Sequence, residues 1–182
     1  MIIHPLYAAP QHASCVTEWL WRAFGADALP RAFFASIVEH SQTPGALPIT
    51  FVAVEGERLL GTVGLWRCDL ISRQDLYPWM AALYVAPEAR GQGLAGKLQQ
   101  HVIGYARAQG YTELFLYSAC RDFYERFWLA VYRRRPGLSG QRRQFIPLRF
   151  IAVEGRNHRV TADQRGAEKV GNLRRRAMLR QR

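Results

Sequence analysis

The chain predicts an α/β fold of α+β type, with strands and helices in an order that is not doubly wound. Three observations carry this. A tight turn at Glu55-Gly56-Glu57 joins two apolar strand patterns, Ile49 to Val54 and Arg58 to Trp66, as a hairpin. A further strand, Trp79 to Val85, runs through a proline into a glycine-rich turn and then a long helical stripe. A short buried strand, Glu113 to Tyr117, follows once that helix stops at Gly110. A hairpin beside a single strand–helix–strand unit is a mixed layer arrangement.

The remaining elements follow in order. Ile2 to Ala8 reads as a strand that Pro5 confines to an edge or makes irregular, because proline donates nothing to a ladder. Pro10 to Phe24 reads as a helix with Val16, Leu20 and Ala23 on one face and Gly25 at its exit. Pro30 suits a first helical position and opens a second helix to about Ser41, where Ser41-Gln42-Thr43-Pro44-Gly45 breaks it. Residues 67 to 78 are a polar loop ending in Tyr77-Pro78. The long helix runs from Gly91 to about Gln109, with Leu98, Val102 and Tyr105 on one stripe. Arg121 to Phe127 is a short helix, and Phe145 to Val153 forms one strand interrupted by Pro147.

At 182 residues and 49% hydrophobic content the chain makes one domain with a real core and is not disordered throughout. No apolar run approaches the roughly 18 residues of a membrane span. The start, Met1-Ile2-Ile3-His4-Pro5, lacks the basic region and apolar stretch of a secretory signal. Cys15, Cys68 and Cys120 are odd in number and widely spaced, so they imply reduced thiols and a cytoplasmic location. The five histidines form no ligand-spaced pair with a cysteine or carboxylate, which argues against a metal site. Charge is unevenly placed: residues 1–132 hold 10 Lys+Arg against 11 Asp+Glu, whereas residues 133–182 hold 15 against 3. The overall +11 therefore describes a tail and not the domain, and a nucleic-acid partner is expected only if that tail is genuine.

The chemistry concentrates in the turn. Arg90-Gly91-Gln92-Gly93-Leu94-Ala95-Gly96-Lys97 sits between a strand and a helix. A helix start presents unpaired backbone N–H groups and a favourable dipole end, and glycine removes the Cβ that would block an approaching anion. The segment reads as an anion cradle. Gly91-x-Gly93-x-x-Gly96 also satisfies a dinucleotide-binding spelling, but the acid at the expected distance, Glu113, starts the next strand instead of ending it.

Arg90-x-x-Gly93-x-Ala95 matches the Q/R-x-x-G-x-G/A signature, and with "LYVAPEARGQGLAGKL" and "ELFLYSACRDFYER" the chain resembles the GCN5-related N-acetyltransferase superfamily. The likeness covers about residues 48 to 128 by motif and residues 1 to 47 by pattern only. It implies a mixed, mostly antiparallel sheet flanked by helices, with acetyl-CoA as co-substrate, an amine acceptor, direct transfer and no metal. The backbone of Leu83, Tyr84 and Val85 would bond the pantetheine arm like an added strand, which needs a local gap beside the strand at Leu114. Residues Arg90, Gly91, Gln92, Gly93, Leu94, Ala95 and Gly96 would take the pyrophosphate, and Tyr124 would protonate the departing thiolate. Several members carry a base Glu before the cradle; here those positions are Met80, Ala81 and Ala82, leaving Asp75 or a relayed water as substitutes. Trp66, Tyr77 and Trp79 read as core aromatics or as an acceptor pocket, His101 as solvent-facing, and Lys97 as a surface or phosphate-binding lysine. Small amine, antibiotic, peptide N-terminus and lysine all stay open as acceptors, as does the oligomeric state. A non-catalytic acyl-CoA-binding protein is the other reading of the same cradle.

The likeness ends near Arg126. The family continues with Gly-Trp or Gly-Phe and two closing strands, whereas this chain reads Phe127-Trp128-Leu129-Ala130. Read one base later, the codons for Trp128 and Leu129 always give glycine, and a CUG codon at Leu129 before Ala130 then gives tryptophan. Residues 1–128 are therefore expected to be the acetyltransferase domain. Residues 129–182 are either an Arg-rich segment out of frame or a true basic tail. On this reading the closing strands are missing or altered, and the outer edge of the Leu114 strand is exposed.

Overall fold

The computed structural model describes residues 1–25, 28–118 and 144–149. The elements are β1 (Ile2–Pro5), α1 (Ala13–Phe24), α2 (Arg31–His40), β2 (Ile49–Glu55), β3 (Arg58–Trp66), β4 (Trp79–Val85), α3 (Leu94–Ala108), β5 (Glu113–Ser118) and β6 (Gln144–Arg149). The strands form one sheet in chain order, antiparallel at every junction except the parallel β4–β5 contact. The expected mixed, mostly antiparallel sheet flanked by helices is what forms. The Gly56 turn closes the β2–β3 hairpin at φ +58°, a conformation open to glycine.

Alternation along the strands builds two cores. Phe51 and Ala53 of β2 join Val63, Leu65, Leu98 and Val102 beneath α3. Val52 and Val54 turn to the other face, against Leu6, Val16, Leu20 and Phe34 from the α1–α2 side. Burial of a side chain such as Leu20, fully enclosed, contributes about 1.5–3 kcal/mol. The sheet is thus the middle layer, and its β4 strand is reached from both faces.

Local structure corrects several expectations. α1 buries Val16, Thr17 and Leu20 while Ala23 is exposed. Thr17 is accommodated because its hydroxyl donates to Ala13 O at 2.9 Å. Pro30 is the extended residue before α2, at φ −69° and ψ 153°, and not its first helical residue. The long helix begins at Leu94, because Gly91 and Gly93 adopt φ +75° and +74° and keep the preceding residues out of the helical ladder. β1 ends at Pro5, and a short 3₁₀ turn follows at Leu6–Ala8.

The outer edge of β5 is covered, contrary to expectation. β6 pairs with it from Glu113↔Arg149 to Ser118↔Gln144. Pro147 sits opposite Phe115, whose N–H donates the other way, to Pro78 O at 3.0 Å. That position is therefore a non-hydrogen-bonded pair, where proline's missing N–H costs the ladder nothing. Tyr124, the expected helix 121–127 and the rest of the basic segment lie outside the described residues.

Candidate active site

The site grows from two departures of β4 from regular pairing. Against β3, Thr62 pairs with Tyr84 and Gly64 with Ala81, so β4 carries one extra residue. Ala82 absorbs it at φ +52°, the left-handed region that costs an L-residue about 1–2 kcal/mol. Against β5, β4 pairs at one position, Trp79↔Phe115, reinforced by the Phe115–Pro78 bond, and beyond it the two strands part. The gap expected beside the Leu114 strand is present. Leu83, Tyr84 and Val85 lie along it, half-buried.

The parted strand delivers the chain to the cradle. Ala86 N donates to Leu60 O at 2.9 Å and anchors the strand's end. A 3₁₀ turn at Pro87–Ala89 then leads to Arg90 and the two positive-φ glycines. The first backbone bond of α3 runs from Lys97 N to Gly93 O at 3.2 Å, so the N–H groups of Leu94, Ala95 and Gly96 precede the ladder. Gly93 caps the helix with no side-chain hydrogen bond. Nothing stands within 4 Å of where a Cβ on Gly91 or Gly93 would lie, so the cradle is open to solvent and the glycines serve its backbone shape. Arg90 is held along the rim: its Nε donates to Val85 O at 3.0 Å, and its guanidinium lies 5.9 Å from the Tyr84 ring centre. Gln92 Nε2 donates to Glu88 O at 3.3 Å. Lys97 is exposed beside Gly93 and Gly96 and borders an open groove of about 600 Å³ that also touches Ile3 and His101.

Other predicted residues are placed differently. Asp75 is exposed and ion-paired with Arg73 at 2.7 Å, which holds its carboxyl below the usual range and makes it a weak base. Trp79 is core, with Nε1 donating to Leu76 O at 2.8 Å, and Trp66 is buried over Gly64. Tyr77 is half-exposed and shares a 2.7 Å hydroxyl contact with Tyr111. His101 is not solvent-facing: its ring packs edge-on against Phe51 with centroids 4.8 Å apart. Three features escaped the sequence reading: the Ala82 bulge, the Tyr77–Tyr111 pair and the buried amide of Gln99. Among the described residues no cluster of three or more His, Cys, Asp or Glu is placed to hold a metal ion, and no helix is long and apolar enough to cross a membrane.

At the Arg90-x-x-Gly93-x-Ala95 motif, a parted β4–β5 pair runs into a helix start with no side-chain cap. The model of the Acetyltransferase (GNAT) family matches residues 14–127. The chain belongs to this family. A curated relative, N-alpha-acetyltransferase 30 of Schizosaccharomyces pombe, is 32% identical over 90 residues. That alignment covers 47% of this GNAT chain and 59% of the relative, so the chain spans about three fifths of the length of the protein it matches. Among solved structures, an aminoglycoside 6′-N-acetyltransferase complexed with coenzyme A aligns over 85% of this chain and all of its own, at 14% identity and a TM-score of 0.67. A GNAT family acetyltransferase from Brucella melitensis in complex with acetyl-CoA aligns over 89% of this chain and 97% of its own, at 20% identity and a TM-score of 0.54. Those two likenesses carry the GNAT fold.

Proposed function

We propose that this GNAT protein transfers the acetyl group of acetyl-CoA to a primary amine by direct attack. The observation that supports it most is the continuous track from the parted strands, past the Ala82 bulge, to the uncapped start of α3. On this reading Leu83, Tyr84 and Val85 bond the pantetheine arm through their backbone. The N–H groups of the cradle from Arg90 to Gly96 bind the pyrophosphate, favoured by the helix dipole. Holding both reactants supplies most of what the reaction needs. The amine nitrogen then forms its bond to the thioester carbonyl carbon and gives up a proton to water, the carbon–sulfur bond breaks, and the thiolate takes a proton from Tyr124, whose phenolate is reprotonated from solvent; that acid role is our assignment. The amine must arrive neutral, and Asp75, already paired with Arg73, is a poor candidate for removing its proton. Water relayed along backbone carbonyls is the alternative route.

The acceptor class is a primary amine. The names of the relatives, an N-alpha-acetyltransferase and an aminoglycoside 6′-N-acetyltransferase, share acetyl transfer to nitrogen and differ in the rest of the acceptor. The unpaired thiols of Cys15 and Cys68 favour a cytoplasmic setting. We retain the out-of-frame reading of the segment after about residue 128; a codon other than CUG at Leu129 removes its tryptophan. Acetyl-CoA titration followed by thiol release over a panel of amines tests the activity. Binding with turnover is expected. Binding without turnover on any amine makes the protein a non-catalytic acyl-CoA binder, and no binding removes both readings.

A further inference from the structure

Gln99 is fully buried in α3, and neither its Nε2 nor its Oε1 has a hydrogen-bond partner among the described residues. Buried side-chain amides are rarely left so, and each one calls for an explanation. Its direction follows from the helix, which advances about 100° per residue. Leu98 packs over β3, its Cδ1 lying 3.0 Å from where a Cβ on Gly61 would stand. His101 and Tyr105, on one side of Leu98, pack against Phe51 of β2. Gln99 lies about 100° to the opposite side. In the sheet order β2-β3-β4-β5 that side faces β4, the strand that parts from β5. Ile103 and Ala106 of the same side share a core with Leu114 and Leu116 of β5. A helical side chain also leans toward the helix start, which aims Gln99 back over Ala95 toward the cradle.

We propose that Gln99 is a binding residue for the pantetheine arm of acetyl-CoA, donating from Nε2 and accepting at Oε1. The proposal rests on the acetyl-CoA reading above. The ligand's chemistry follows from the orphaned pair. A phosphate accepts only and would leave Oε1 without a donor, whereas an arm containing amides and a hydroxyl offers both functions. Gln99 also stands one turn past the cradle's N–H groups, where the arm leaves the phosphates.

Acetyl-CoA and ADP separate this role from a structural one, because ADP has the pyrophosphate and lacks the arm. In Gln99→Met, which keeps length without the amide, acetyl-CoA affinity is expected to fall about tenfold, the worth of a hydrogen bond or two. ADP affinity is expected to stay unchanged. The melting temperature of the ligand-free protein is expected to rise by about 2–4 °C, since an unpaired buried amide is gone. Gln99→Leu repeats the measurement with a second apolar shape. Unchanged acetyl-CoA affinity, equal losses for acetyl-CoA and ADP, or a lower melting temperature in both variants would each overturn the proposal. If the wild-type protein binds neither ligand, the acetyl-CoA reading itself falls, whatever the variants do.

Discussion

Two glycines in this protein are required for different reasons. Gly93 needs its positive φ, and the space around it is open. Gly64 needs the space: a Cβ there would collide with Trp66 Nε1 and stand 2.7 Å and 2.9 Å from two ring carbons. The indole is buried and has little room to yield, so Gly64→Ala is expected to lower unfolding free energy by about 1–3 kcal/mol, measured by urea denaturation. A second residue-level prediction concerns the proposed acid. Tyr124→Phe is expected to lower the acetylation rate at least about tenfold while acetyl-CoA still binds. An unchanged rate would remove Tyr124 from the mechanism. At this scale the sequence was legible where a residue type has one physical use, as with the cradle glycines. It was illegible where the partner lies far along the chain. His101 falls on the polar flank of its own helix pattern and becomes half-buried only because Phe51 of β2 meets it.

Among the elements, the junction of β4 with β5 sets the width of the site. It is fixed at its base by the Trp79↔Phe115 pair and by the Tyr77–Tyr111 hydroxyl contact. Burial, with the Tyr77 hydroxyl beside it, pushes the Tyr111 phenol up to about 12. Phenolate absorbance should therefore show one tyrosine titrating well above the ordinary value near 10, and Tyr77→Phe should bring it down. The sign for stability follows. Between those two values the unfolded chain has released the proton and the folded one has not, so this contribution is lost as pH rises. The strands β3 and β4 were readable to the residue, because apolar runs bounded by turns have one interpretation. The bulge was not. Met80-Ala81-Ala82-Leu83 reads as uninterrupted strand, and only the β3 register shows that one residue is extra. The strand expected at 145–153 forms as β6 over 144–149, but its partner was not readable: Pro147 fits beside β5 because its missing N–H lies at a non-hydrogen-bonded position of the ladder.

For the whole molecule, the three layers place the helix α3 against β2, β3 and β4 at once, with His101 at the rim. Partial burial, with the His4 imidazole nearby, lowers the His101 pKa below the ordinary value of about 6.5. As pH falls through that value the unfolded chain takes up the proton before the folded chain does. Stability is then present above about pH 6.5 and declines below it. The melting temperature is expected to drop between about pH 7.5 and 5.5, and His101→Gln, which does not titrate, should flatten that slope. A slope unchanged in His101→Gln would assign the effect to other groups.

The parting of β4 from β5 also means that the sheet has an edge in its middle. β1 to β4 form one hydrogen-bonded unit and β5 with β6 another, tied across a single register position. Beyond Trp79↔Phe115 the facing sides of β4 and β5 share no further register position among the described residues, and such strand edges are of the kind that recruit a further strand. A ligand bonded to both strands there would be the rung that joins two half-sheets, and the loaded protein is expected to unfold in a sharper urea transition than the empty one.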